Sequence, residues 1–217
     1  MDIEQARFNM IEQQIRTWEV LDQDVLDLLN EIHREDFIPE SYQSLAFADV
    51  RIPIGHDQTT MMPKVEARLL QSLDLQGNES IFEIGTGCGY LTSLLASSAK
   101  SVKSIDIYPD FIESAKNKIT KAGLINVELE CTDIYTILDK KDHYDIVVVT
   151  GSLPKMDDRF LNLLNNNGKM FVIVGESPVM EARLITMQNG TSWSYESLFE
   201  TDLPALIGAE HKETFEF

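Results

Sequence analysis

Residues Ile81 to Leu91 (IFEIGTGCGYL) combine an acidic side chain with three alternating glycines, a pattern suited to holding a ligand against bare backbone. Phe82 and Ile84 flank Glu83 at the end of an apolar strand. Gly85, Gly87 and Gly89 remove side chains where the chain must turn tightly or approach a bound group. The dinucleotide fingerprint needs glycines at its first, third and sixth positions, and the sixth here is Tyr90. No Lys-Ser or Lys-Thr pair follows to grip a nucleotide phosphate. Glu-x-Gly-x-Gly-x-Gly instead suits a nucleoside without a pyrophosphate, which makes S-adenosylmethionine the expected ligand. A glycine-rich turn with no ligand is the competing reading.

Two further acids stand where the same crevice would need them. VKSIDIY reads as the next strand and ends at Asp106, whose carboxylate can accept both hydroxyl hydrogens of a ribose. NVELECTD reads as the third strand and ends at Asp133. That side chain can accept from an adenine amino group or, on the competing reading, cap a helix over Ile134 to Leu138. In an open parallel sheet such strand ends border one crevice. The expected cofactor set is Glu83, Gly85, Thr86, Gly87 and Gly89 from the turn, Asp106 with Ile107, and Asp133 with Ile134.

Positioning these residues takes alternating strands and helices. Gly89 to Ala99 and Pro109 to Ala122, the latter closed by Gly123, read as helices between the three strands. A helix after Pro63 presents Val65, Leu69, Leu70 and Leu73 to the sheet. HYDIVVVTG, nearly unbroken in its apolar run, reads as a central strand covered on both faces. Asp157 to Leu164 reads as a helix, Asn165 to Gly168 as a turn and KMFVIVG as a strand, after which Asn189-Gly190 splits the closing segment into a hairpin. Trp193, Tyr195 and Phe199 are read as sheet packing in preference to substrate stacking. Ile3 to Gln13 and Asp22 to Glu31 carry helical periodicity and form an N-terminal cap. Residues 1–60 are expected to build the cap and substrate loop and residues 61–217 the core, together one compact α/β unit.

Composition narrows the function classes. The 217 residues carry 18 Lys and Arg against 36 Asp and Glu, a formal charge of -18. Such a field opposes nonspecific binding to phosphate backbones, and Lys100, Lys103, Lys116, Lys118 and Lys121 form only a weak basic patch, so nucleic acid is a disfavoured partner. No segment is long enough to span a bilayer and no secretory signal opens the chain, which makes cytoplasmic, membrane-free placement the expectation. Cys88 and Cys131 are expected to be small buried residues. His33, His56, His143 and His211 follow no metal-ligand spacing, so no metal is expected.

Longer runs carry a resemblance. REDFIPESYQSLAFADVRIPIGHDQTT, FEIGTGCGYLTSLLA, SIDIYPDFIESAK and YDIVVVTGSLPKMDDRFLNLLNNNGKMFVIVG resemble the protein-L-isoaspartate O-methyltransferase family over roughly residues 5 to 176. Arg34-Glu35-x-Phe37-x-Pro39 and Pro53-Ile54-Gly55-x-x-Gln58-Thr59 make the resemblance specific beyond the glycine motif. It implies a Rossmann-like class I S-adenosylmethionine-dependent methyltransferase: a mostly parallel seven-stranded sheet flanked by helices, with reordered final strands. It also implies methyl transfer to the α-carboxylate of an isoaspartyl residue in a damaged protein or peptide, leaving S-adenosylhomocysteine.

The chain departs from the family pattern at the acceptor. Members read Gln-Thr-Ile-Ser-x-Pro with the serine against the substrate, and this chain reads Gln58-Thr59-Thr60-Met61-Met62-Pro63. A thioether cannot donate a hydrogen bond to a carboxylate, and Thr60 offers a hydroxyl one position earlier. The tail departs too, and Leu203 to Ile207 are expected to remodel the acceptor mouth. The His56 to Met62 loop closes over methyl and acceptor, with Thr59 the first candidate beside the acceptor unless it caps the helix at Pro63. His56 is the candidate base for a hydroxyl or amine acceptor unless it is a solvent-exposed loop residue. Arg51 and Lys64 either pair with a substrate carboxylate or serve the surface. A methyltransferase of another small-molecule or protein acceptor and a noncatalytic cofactor-binding protein are the alternative readings.

Overall fold

The computed structural model of the chain describes residues 2–139, 142–190 and 192–209, so His211 lies outside the described residues. Helix α1 (Ile3–Met10) starts where the Asp2 side chain accepts from the Gln5 N–H at 3.2 Å. It passes into a π-helical turn (Ile11–Ile15) and a 3-10 turn (Arg16–Trp18), and stops at Glu19 with φ 63°. Helix α2 (Gln23–Glu31) is capped by Asp22 and buries Val25, Leu26, Leu28 and Leu29. A small antiparallel hairpin, β1 (Pro53–Gly55) and β2 (Gln58–Thr59), then leads to α3 (Pro63–Leu73), which has proline in its first turn.

From there strands and helices alternate: β3 (Ser80–Ile84), α4 (Tyr90–Ser98), β4 (Ser101–Asp106), α5 (Pro109–Lys121), β5 (Val127–Cys131) and β6 (Tyr144–Leu153). Three long strands follow, β7 (Leu164–Glu176), β8 (Val179–Gln188) and β9 (Ser192–Thr201). The seven-stranded sheet runs β5-β4-β3-β6-β7-β8-β9. Its first five strands are parallel, and β8 and β9 each run antiparallel to the strand before. β6 is the middle strand. The last three strands lie in plain chain order, the Asn189-Gly190 turn taking φ 51° and 71°.

Side-chain parity assigns the two faces. Ile81 joins the apolar cluster under the helices, whereas Phe82 and Ile84 join the cluster on the opposite face. Met10 of α1 and Val25, Leu26, Leu28 and Leu29 of α2 continue into the helix-side cluster, alongside Val65, Leu69, Leu70 and Leu73 from α3.

Several local expectations are corrected. The helix over Asp157 to Leu164 is a 3-10 segment (Asp158–Leu163), and that over Ile134 to Leu138 closes after one 3-10 turn (Ile134–Thr136). Asn165 to Gly168 do not separate two elements. They form a bulge inside β7, where pairing jumps from Tyr144↔Leu164 to Ile146↔Lys169 and Asn167 takes φ 64°. Trp193 and Tyr195 pack only in part: they stand 40% and 51% exposed on β9, the outer strand, with the Arg183 guanidinium of β8 4.6 Å from the Tyr195 ring, while Phe199 meets the Trp18 ring edge-on at 5.6 Å. Cys131 is exposed on the opposite edge strand and Cys88 is half-buried, both as free thiols. Among the described residues no helix is long and apolar enough to cross a membrane.

Candidate active site

At the end of β3 the chain turns through Gly85, Gly87 and Gly89 at φ 101°, 52° and 85°. The Gly85 and Thr86 N–H groups both donate to the Ile105 carbonyl, at 2.8 and 3.1 Å, which ties the turn to β4. A Cβ on Gly85 would lie 2.0 Å from Thr150 Oγ1, so the bare backbone is a packing requirement there as well as a conformational one. Gly89 serves a different purpose from its neighbours: a Cβ there would come within 2.9 Å of Ala115 Cβ on α5, away from the crevice.

Asp106 closes β4 and is buried. Its Oδ2 accepts from the Gly87 N–H at 2.9 Å and its Oδ1 from the Tyr108 N–H at 3.0 Å. Burial pushes its pKa above the usual carboxylate range, against the pull of the backbone N–H groups of Gly87, Tyr108 and Ile107. Each oxygen keeps further lone-pair capacity and the ionised group has no donor, which suits a pair of ribose hydroxyls. At the end of β5, Asp133 Oδ1 caps the following 3-10 turn by accepting from the Tyr135 N–H at 2.9 Å, while the residue also lines the crevice.

Asp106 and Asp133 belong to a crevice of about 700 Å³ together with Gly85, Gly87, Ile107 and Ile134. Thr150, in β6 just past its last pair with β3, lines the crevice and donates from Oγ1 to the Ile84 and Gly85 carbonyls, 2.9 Å from each. One wall comes from the β1–β2 hairpin through Ile54, Gln58 and Thr59. Opposite lies Leu203 to Ile207, pinned along β6 by Ser152: Ser152 N–H to Pro204 O at 2.9 Å, Leu206 N–H to Ser152 O at 2.8 Å and Ser152 Oγ to Leu203 O at 2.9 Å. Gly151 permits this approach, since a Cβ there would meet Leu206 Cα at 2.8 Å.

Other expected site residues lie elsewhere. Glu83 shares the face of Ile81, so its fully buried carboxylate points between sheet and α4 and not into the crevice. Its Oε2 accepts from Thr92 Oγ1 at 2.5 Å and Ser104 Oγ at 2.6 Å. The Thr86 hydroxyl joins the same buried set, 2.6 Å from Ser104 Oγ. His56 sits at the hairpin tip, stacked on Tyr108 at 3.9 Å, with Nε2 3.0 Å from both Asp110 carboxylate oxygens. This contact holds the Asp110 pKa below its usual value and turns the imidazole away from the crevice. Lys64 pairs with Asp49 at 2.6 Å and Arg51 with Asp202 at 3.4 Å, so both serve the fold.

Thr59, Thr60 and Met61 separate sharply. Thr59 lines the crevice, and its buried Oγ1 has no hydrogen-bond partner among the described residues. It does not cap α3, whose N-cap is Met62 with no side-chain hydrogen bond. Thr60 is buried and its hydroxyl accepts from Arg34 Nη2 at 3.2 Å and the Ile52 N–H at 3.1 Å, leaving it outside the crevice wall. Met61 joins the helix-side core. Tyr108, Thr150 and Ser152 had escaped attention in the sequence. Thr150 carried the same signal as Asp106, a polar residue closing an apolar strand.

The family model of protein-L-isoaspartate(D-aspartate) O-methyltransferase matches residues 5–202 of this chain. The chain belongs to this family. A protein-L-isoaspartate O-methyltransferase 1 of Syntrophobacter fumaroxidans is 32% identical over 185 residues, covering 85% of this chain and 86% of its relative. A Myxococcus xanthus protein-L-isoaspartate O-methyltransferase is 34% identical over 156 residues, covering 72% and 74%. A Plasmodium falciparum crystal structure described as a protein-L-isoaspartate O-methyltransferase in complex with S-adenosyl-L-homocysteine superposes with a TM-score of 0.78 at 20% identity, covering 91% and 96%. It shares the fold. As a protein-L-isoaspartate O-methyltransferase with a class I Rossmann-like sheet, the chain is an S-adenosylmethionine-dependent enzyme whose reaction is methylation of isoaspartyl residues.

Proposed function

We propose that the crevice seats S-adenosylmethionine between the glycine turn, Asp106 and Asp133, and that the hairpin presents Gln58 and Thr59 to the α-carboxylate of an isoaspartyl residue in a damaged protein or peptide. The carrying observation is the juxtaposition in one crevice of a carboxylate held by two backbone N–H groups and a buried threonine hydroxyl with no partner among the described residues. The cofactor, when bound, supplies a methyl group made electrophilic by its sulfonium. Asp106 and the Gly85–Gly87 backbone orient its nucleoside and amino-acid ends, and Asp133 with Ile134 borders the adenine. Thr59 Oγ1 donates to the acceptor carboxylate. An α-carboxyl group titrates near ~3.5, so the acceptor is ionised at neutral pH and no general base is required of His56. The chain contributes alignment and the exclusion of water, the latter through Leu203 to Ile207. A cytoplasmic place of action belongs to the same proposal, supported by the two free thiols.

Replacing Asp106 with alanine tests the cofactor half. Removing a buried acceptor of two hydroxyl hydrogens is expected to raise the S-adenosylhomocysteine Kd by about 10- to 100-fold in calorimetry. Unchanged affinity in a protein that still melts cooperatively would remove the ribose assignment. Met61→Ser tests the acceptor half differently. Because Met61 is a core side chain only 6% exposed, serine there leaves a void and a buried hydroxyl, and the expected result is a loss of about 2 kcal/mol of stability with no gain in turnover. A faster enzyme would show that position 61 meets the acceptor.

A further inference from the structure

Arg34, in the 3-10 turn that follows α2, is 1% exposed and takes no part in the crevice, yet its side chain ties three parts of the site together. Its Nε donates to Glu66 Oε2 on α3 at 3.2 Å, and its Nη1 to the Ala46 carbonyl at 3.1 Å. Nη2 reaches both Thr60 Oγ1 at 3.2 Å and the Met61 carbonyl at 2.9 Å. On its other side the guanidinium carbon stands 5.5 Å from the centroid of the Tyr90 ring, the first residue of α4 after the glycine turn.

Thr60 is the neck of the β1–β2 hairpin. Its N–H donates to the Ile52 carbonyl at 2.9 Å and its hydroxyl accepts from the Ile52 N–H at 3.1 Å, so both ends of the hairpin meet at one buried hydroxyl, itself held by Arg34. The hairpin then projects Ile54, Gln58 and Thr59 onto the crevice wall. The planar fork of an arginine suits a hub that must reach a carboxylate, two carbonyls and a hydroxyl while lying against an aromatic ring, and a lysine has neither the reach nor the plane.

We propose that Arg34 is a positioning residue for methyl transfer: it holds the hairpin neck in fixed relation to the start of α4, so that Gln58 and Thr59 meet the acceptor in register with the glycine turn. This rests on the reading of the hairpin as the acceptor wall.

Three variants test it: Arg34→Lys, which keeps a cation beside Glu66 and loses the fork; Thr60→Val, which removes only the hydroxyl at the neck; and Gln58→Ala, which tests the hairpin itself. Each is assayed on an isoaspartyl peptide, with turnover divided by the number of sites that bind S-adenosylhomocysteine in calorimetry. Arg34→Lys and Thr60→Val are expected to lower kcat per binding site by about 10- to 100-fold, with cofactor affinity within about 2-fold of the parent. Turnover per site at the parental level, even with a lower melting temperature or fewer binding sites, would reduce Arg34 to a stability role and overturn the proposal. Should Arg34→Lys fail to fold, Thr60→Val decides. Gln58→Ala with unchanged acceptor kinetics would overturn the hairpin reading and this proposal with it. Slowed Gln58→Ala beside normal turnover in the other two would overturn the coupling alone.

Discussion

Gly85→Ala is expected to abolish S-adenosylhomocysteine binding and to destabilise the protein by about 4 kcal/mol or more. A left-handed φ of 101° costs an alanine about 1–2 kcal/mol, and the new methyl would stand 2.0 Å from Thr150 Oγ1, so the threonine must move. Moving it breaks the hydroxyl contacts to the Ile84 and Gly85 carbonyls that join β6 to the turn. Melting curves and calorimetry on Gly85→Ala, Thr150→Ala and the double variant check the cause. In the Thr150→Ala background the next contact, to Cβ, is an ordinary 3.4 Å, so the alanine should there cost only the conformational strain, about 1–2 kcal/mol. Equal costs in both backgrounds would mean that crowding against Thr150 is not what demands glycine.

Glu83→Gln is expected to stabilise the protein increasingly as pH rises. Complete burial is the main force raising the Glu83 carboxyl from an ordinary 4.5 to about 8, opposed by the hydroxyls of Ser104 and Thr92 and assisted by the nearby acids Asp106 and Glu66. The second oxygen, Oε1, has no hydrogen-bond partner among the described residues. A carboxyl whose folded pKa lies above its unfolded value binds a proton in the folded state that the unfolded chain has already released. Stability is therefore lost as pH climbs from about 4.5 to about 8, by on the order of 5 kcal/mol in all. Glutamine is the uncharged isostere and has no such loss. The difference in unfolding free energy between variant and parent should be small at pH 5 and grow by about 4 kcal/mol by pH 9. Asp106, whose own pKa is also raised by burial, is present in both proteins and acts with the same sign. A difference independent of pH would show that Glu83 is ionised throughout that range.

These two residues mark how far local pattern carried. The glycine turn, Asp106 and Asp133 were legible because strands ending on acids in a parallel sheet must share an edge, and the crevice indeed gathers both. Glu83 was misplaced because a strand buried on both faces reads as continuous apolar sequence. Nothing local says that the face of Ile81 and Glu83 is the one beneath α4. Thr60 was offered as an acceptor partner on adjacency alone, whereas its hydroxyl is claimed by Arg34, 26 positions earlier in the chain. Leu203 to Ile207 line the crevice, and the device that holds them there, Ser152 with bare Gly151, is a contact across more than 50 residues that no periodicity announces. Trp193 and Tyr195 remain partly exposed because β9 is an outer strand, a position that an aromatic strand pattern does not reveal.

Methyl transfer from labelled S-adenosylmethionine to a matched pair of peptides, one isoaspartyl and one aspartyl at the same position, tests the account most directly, with cofactor binding measured on the same preparation. The predicted result is label on the isoaspartyl peptide and none on its aspartyl twin. Cofactor binding with no label on either peptide, or equal label on both, would contradict it.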